Sequence, residues 1–120
     1  MKITILNEDI HQVNTLQKEV VNRIKNYINQ LGHESSIINT SESKIADCIG
    51  CFDCWLKTPG ECAIQDDQTI FLKEYLNSDL CILISPVRRG FISAELKKSI
   101  DRIIPISTPF FKMKNGKMTH

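Results

Sequence analysis

The segment "LCILIS" at residues 80–85 constrains this chain more than any other stretch. It is an uninterrupted apolar run of strand length, with no polar residue on alternate positions until Ser85. A strand that is apolar on both sides has to be covered on both faces, which is the situation of a parallel strand inside an α/β sheet. That one run therefore calls for further strands beside it and for helices above and below it.

The rest of the chain supplies both. "KITILN" at residues 2–7 is short and β-branched and reads as a buried strand. Val13, Leu16, Val20, Ile24, Tyr27, Ile28 and Leu31 recur at helical spacing, with Gly32 placed to end the helix. "SSIIN" at residues 35–39 reads as a second, weaker strand. Residues 40–65 have no clear period and form a long loop, a feature that in a compact domain is usually functional or disordered. Asp66 or Asp67 can cap a helix with Ile70, Phe71 and Leu76 inward. Ser93 can cap another over residues 94–104, with Leu96, Ile100 and Ile103 on one face and Lys97, Lys98 and Arg102 on an outer, solvated face. The order β-α-β-loop-α-β-α predicts one doubly wound α/β domain over residues 1–120. The tail "PISTPFFKMKNGKMTH" carries two prolines and an Asn-Gly turn signal and offers no further βα unit.

Composition narrows the function. A formal charge of +1 gives no electrostatic grip on nucleic acid or anionic lipid. No run is long and apolar enough to span a bilayer, and "MKITILNED" turns polar too early for a signal peptide. The chain reads as cytoplasmic. In that compartment clustered cysteines are more often metal-binding or catalytic than disulfide-bonded.

Four of the five cysteines fall in "CIGCFDCWLKTPGEC" at residues 48–62, spaced Cys48-x2-Cys51-x2-Cys54-x7-Cys62. Thiolates two residues apart in a tight loop can turn to a common centre, and a fourth slightly further on can close it. This is the logic of a [4Fe–4S] ligand set. Three other readings stay open: zinc, which usually asks for two knuckles with a longer gap; a metal-free redox pair, Cys51–Cys54; and reduced thiols merely packed in a loop. Cys81, inside the apolar run, reads as a core residue. Trp55 reads as an anchor that packs the loop on the sheet. His11, His33 and His120 have no partner at metal spacing, and no Ser-His-Asp or paired-carboxylate arrangement points to hydrolysis.

"CIGCFDCWLKTPGECAIQDD" followed by "CILISPVRRGFISAELKKSIDR" resembles the flavodoxin-like NAD(P)H-dependent FMN reductases, closest to their iron–sulfur flavoprotein branch. The matching positions are the cysteines, Asp66-Asp67, Ser85-Pro86-Val87, Gly90, Ser93, Leu96-Lys97 and Asp101-Arg102. The resemblance spans nearly the whole chain. It implies a flavodoxin-like sheet of order 2-1-3 with the last two strands missing, so that the chain reads as truncated at its C-terminus. It implies FMN outside the carboxyl ends of the strands, near Asn14, Thr15, Pro86, Val87, Arg88 and Gly90, and a [4Fe–4S] cluster on Cys48, Cys51, Cys54 and Cys62.

Two departures stand out. The family's phosphate loop, Gly-Ser-Pro-x-x-x-Gly-Asn-Thr, is here "NEDIHQVNT": Asn14 and Thr15 match its end, while Glu8 and Asp9 put two acids where a phosphate dianion would sit. Arg88-Arg89 stand where relatives present an aromatic to the flavin ring, and a solvated pair of arginines is the plainer reading of them. The implied function is a redox or electron-transfer flavoprotein, an FMN-reductase-like oxidoreductase if an enzyme, served by a small-molecule or protein electron donor and acceptor. The alternatives are a cofactor-free structural or interaction module and a metal-free thiol-redox protein. An apolar third strand with no fourth strand beside it predicts a homodimer or higher oligomer that buries Phe110 and Phe111.

Overall fold

The computed structural model describes residues 1–8, 15–87, 89–107 and 109–119, and of Thr15 the backbone alone. Three strands, β1 (Lys2–Asn7), β2 (Glu34–Asn39) and β3 (Leu80–Ile84), form a parallel sheet in the order β2-β1-β3. Among the described residues four helices accompany it: α1 (Thr15–Gln30), α2 (Asp53–Leu56), α3 (Gln68–Leu76) and α4 (Ala94–Asp101). This is the doubly wound α/β arrangement, with the first strand in the middle: Ile5 lies between Ile37 and Ile82.

The period-two alternation of β1 divides the interior into two cores. Ile3 and Ile5 meet Ile28 of α1, with Ile24, Ile37, Ile82 and Ile84 packed around them. On the opposite face Leu6 joins Phe71 and Leu72 of α3 and Leu96 of α4, with Cys81, Ile100 and Ile103 alongside. Cys81 is thus a core residue, as its place in the apolar run predicts. β3 reaches both cores yet is not covered along its whole length. Leu80 and Leu83 are 45% and 49% exposed, because among the described residues β3 pairs with β1 alone.

Two helices bury different faces from those the spacing suggests. In α1 the apolar residues make two stripes about 100° apart, and the sheet takes only one. Val21 and Ile28 are buried, whereas Leu16, Val20, Tyr27 and Leu31 are exposed. The choice is made by Gln17, whose buried amide donates to Asn7 Oδ1 at 2.9 Å and to the Glu8 carbonyl, fixing the helix's rotation. Val13 lies outside the described residues. Gly32 ends the helix as expected: at φ 75° it lets the amides of Gly32 and His33 return to the carbonyls of Asn29 and Ile28. In α3 the buried positions are Gln68, Phe71 and Leu72, while Ile70 and Leu76 face outward.

Ser93 caps α4, its hydroxyl accepting from the Leu96 amide at 3.2 Å. The regular helix stops at Asp101, and a 3-10 turn, Ile104–Ile106, carries the chain onward. The tail then forms a small antiparallel hairpin, β4 (Lys112–Lys114) with β5 (Lys117–Thr119), which the turn signal implied but the strand reading missed. Asn115 and Gly116 have φ of 52° and 73°, the pair of positive values that a type I′ hairpin turn requires. No helix among the described residues is long and apolar enough to cross a membrane.

Candidate functional site

The cysteine-rich stretch is a folded loop, not a slack one. Its entry is held by the two aspartates that precede α3. Asp67 accepts the Lys44 amide at 2.7 Å, while Asp66 accepts the Ala46 amide at 2.9 Å and the Gln68 amide at 3.1 Å. Asp66 thus satisfies the first amide of α3, as a cap should, whereas Asp67, at the cap position, makes no side-chain bond to its own helix. Their carboxylates clamp residues 44–46 against the start of α3. Within the loop Phe52, at φ 56°, turns the chain into the short helix α2 that carries Cys54. Trp55 on α2 donates its indole N–H to the carbonyls of Ile104 and Ser107, both at 3.0 Å. It is an anchor as predicted, but it ties the loop to the 3-10 turn after α4 and not to the sheet.

Arg102 sits under this loop. The sequence reading places it on a solvated helix face, but it is 1% exposed. Leu96, Ser99 and Arg102 are three residues apart on the buried side of α4 and its extension. Arg102 forms an ion pair with Asp66 and donates to the carbonyls of Ala46 and Ile64, both at 3.1 Å. Its second terminal nitrogen also donates to Cys62 Sγ at 3.3 Å. Gln68 in turn binds the carbonyls of Ser99 and Arg102 at 2.9 and 3.3 Å. A guanidinium out of water requires a partner acid, and the unusual Asp-Asp before α3 was the signal that such an acid was available.

All four clustered cysteines line one cavity with Arg102, walled by Ile49, Phe52, Ile64 and Pro105. Cys48 and Cys51 are exposed, Cys54 is buried, Cys62 is intermediate, and all are free thiols. Burial pushes the Cys54 thiol up. The neighbouring Cys62, Cys51 and Cys48 push it further, partly offset by a backbone hydrogen bond. Burial also raises the thiol of Cys81, across the fold. Asp66 is held below the usual aspartate range: burial alone would raise it, but the hydrogen bonds from Arg102, Ala46 and Gln68 and the charge of Arg102 outweigh that. Arg102 is correspondingly raised against its own burial by Asp66 and Cys62.

Among the described residues no three His, Cys, Asp or Glu side chains stand as a group that could hold a metal ion. A single tetrahedral zinc would draw its sulfurs to roughly 3.8 Å from one another, given zinc–sulfur bonds of about 2.3 Å. The four thiols converge on the cavity without closing to such a set. Four thiols are the donor set that a larger [4Fe–4S] group would use.

Of the residues expected beside a flavin, the described ones follow the carboxyl ends of β1 and β3. Thr15 opens α1 after β1, and Pro86, Val87 and Gly90 follow β3, with Val87 exposed and Gly90 at φ 82°. Asn14 and Arg88, like Asp9, His11 and His120, lie outside the described residues. Arg89 is exposed, as a solvated arginine should be, and His33 is half-buried beside the N-terminal amine. Glu8, at the end of β1, is fully buried, and neither carboxylate oxygen has a partner among the described residues.

Residues 1–118 match the model of the NADPH-dependent FMN reductase family. The chain belongs to that family. Within it the chain is 37% identical over 91 residues to an iron-sulfur flavoprotein of Methanocaldococcus jannaschii, covering 76% of this chain and 46% of that protein. It is also 37% identical over 86 residues to an iron-sulfur flavoprotein of Archaeoglobus fulgidus, covering 71% and 38%. The chain therefore spans less than half the length of either relative. The fold is shared with solved structures: a crystal structure of RosB with bound 8-demethyl-8-formylriboflavin-5'-phosphate superimposes with a TM-score of 0.69 at 12% identity, over 87% of this chain and 42% of RosB. A structure of a putative quinone reductase from Klebsiella pneumoniae gives 0.62 at 18% identity, over 86% and 45%.

Proposed function

We propose that this chain serves a redox flavoprotein of the iron–sulfur type, with a [4Fe–4S] cluster on Cys48, Cys51, Cys54 and Cys62 and FMN along the carboxyl edge of the sheet. The observation that carries the reading is the convergence of four free thiols on one apolar cavity in a member of this family. Bound there, a flavin would supply two-electron and a cluster one-electron chemistry, between a small-molecule or protein donor and acceptor. The protein's part is to hold and shield. Asp66 and Asp67 fix the mouth of the loop, Trp55 fixes its far side, and Ile49, Phe52, Ile64 and Pro105 wall the cavity with apolar groups. A cytoplasmic address belongs to the same proposal, since open thiols of this kind persist where the medium is reducing.

The test is chemical analysis of protein purified without oxygen. About four iron and four sulfide per chain, lost on replacing any of the four cysteines by serine, are the expected result. A colourless protein with neither iron nor flavin overturns the proposal.

A second reading, a flavodoxin-like module without flavin, draws on Glu8. A buried acidic side chain with no partner among the described residues, directly after β1, offers no donor to a bound dianion there. Titration with FMN separates the two, since saturable micromolar quenching of flavin fluorescence removes this second reading. For assembly we propose a symmetric dimer, supported by the exposed Leu80 and Leu83 on β3 and the exposed stripe Leu16, Val20 and Tyr27 on α1.

A further inference from the structure

Arg102 is the most deeply buried cation of the described chain, and its position relative to the cysteine cavity is specific. Nη1 is spent on Asp66 and the Ala46 carbonyl, whereas Nη2 serves the Ile64 carbonyl and Cys62 Sγ. Its Nε has no partner among the described residues. Asp66 is itself fixed by the amides of Ala46 and Gln68, so the guanidinium cannot swing away from the sulfur without breaking several bonds. The carbonyl of Arg102 is bound by Gln68, which pins the backbone at the same point. A residue needed only to clamp the loop would be complete with Asp66 and the two carbonyls. The contact with Cys62 adds something else, a fixed positive charge and an N–H donor on one thiol of the four.

We infer that Arg102 is a positioning residue that sets the reduction potential of the group held by the four cysteines, by donating to the sulfur of Cys62. The inference rests on the cluster reading above. Hydrogen bonds to ligand sulfur and a nearby cation both favour the more negative, reduced state of an iron–sulfur centre, so they raise its potential. Burial strengthens the effect, because little water screens the charge. Asp66 moderates it by sharing the guanidinium's charge while holding its fork in place.

The experiment compares the full chain with Arg102→Lys and Arg102→Gln, all purified without oxygen, by dithionite titration followed by electron paramagnetic resonance. Iron content is measured on the same samples. The potential does not depend on how many molecules carry a cluster, so it separates tuning from mere support of the loop. In Arg102→Gln the equilibrium constant for one-electron reduction should fall at least tenfold, equivalent to about 59 mV. Arg102→Lys, which keeps the charge but lacks the fork, should fall between that value and the parent. Should the glutamine variant fail to fold, a downward shift in the lysine variant alone supports the inference. If iron loading drops in the variants while the potential of the loaded fraction stays within twofold in the reduction constant, Arg102 only supports the loop and the inference is overturned. Absence of iron from the parent chain overturns the cluster reading and this inference with it, and is told apart by the parent's iron content alone.

Discussion

The side chains of Arg102 and Asp66, 36 positions apart in sequence, form an ion pair in which they are 1% and 13% exposed. Through Asp66 the pair also holds the Ala46 and Gln68 amides, so one contact joins the cysteine loop, the start of α3 and the end of α4. Removing one member of a buried pair strands the other, which typically costs about 3–5 kcal/mol. Asp66→Asn keeps the shape but loses the charge, and should destabilise the fold by about 3 kcal/mol. Urea unfolding checks this; a loss under about 1 kcal/mol would mean that water reaches and rescues the guanidinium.

The same pair imposes a pH dependence. Asp66 titrates lower in the folded chain than in the unfolded one, so the unfolded state binds the proton more readily. Its stabilisation is therefore complete above the ordinary aspartate value of about 3.9 and disappears as the pH falls through the depressed folded value. The stability gap between the parent and Asp66→Asn should stay level from neutral pH down to about 5 and close only in stronger acid. A gap that closes near neutrality would assign the effect to another group.

What the sequence disclosed, and what it hid, follows from how local each signal is. The strand "KITILN" and the Ser93 cap rest on near neighbours, and both stand where the sequence placed them. In α1 the helical spacing alone does not pick out the buried side, which holds Val21 and Ile28 and is set by Gln17 bonding to a strand end ten residues away. Arg102 was misjudged for a similar reason. On a helical wheel a charged residue reads as outward, and only the distant Asp66 makes it tolerable inside. The four clustered cysteines do line one cavity, and the three of them spaced two residues apart are near neighbours in sequence, so their proximity is a local property. The anchors of that loop, Asp67 on Lys44 and Trp55 on Ile104, join segments 23 and 49 residues apart and carry no pattern in the sequence.

Trp55 offers a separate test of the loop's attachment. Its one N–H is shared between two carbonyls, those of Ile104 and Ser107. Trp55→Phe keeps an aromatic ring near Phe52 but removes that donor, and should lower stability by about 1–2 kcal/mol. Hydrogen exchange should quicken within the cysteine loop before it does in β1. Equal quickening in both would show that the loop and the sheet open as one unit.

Thiol labelling of the metal-free chain should rank the cysteines by burial and by thiolate content. Cys48 and Cys51 are exposed and should react with iodoacetamide first; Cys54 and Cys81, both raised by burial, should react last. Because their pKa values are raised, the reaction of these two should gain most from raising the pH beyond the range in which an ordinary thiol, near 8.5, has already ionised. Mass spectrometry across pH 7 to 10 reads the order directly. Early labelling of Cys54 would show that α2 does not hold its thiol inside.

Assembly is decided by what covers β3 and α1. Leu80 and Leu83 are each nearly half exposed on a strand whose pairing, among the described residues, is with β1 alone. Such an edge offers amides and carbonyls to a second strand, and Leu16, Val20 and Tyr27 form a separate exposed apolar stripe on α1. Phe110 and Phe111, 74% and 59% exposed, extend the apolar surface on the tail. A second copy meeting the first across a two-fold axis would bury like against like, as closed dimers do. Sedimentation at micromolar concentration should therefore give about twice the 13.7 kDa chain mass. Leu83→Glu, which puts a charge on the exposed edge without touching either core, should shift that species toward monomer. A parent chain that sediments cleanly at 13.7 kDa would sink the dimer and leave the edge solvated.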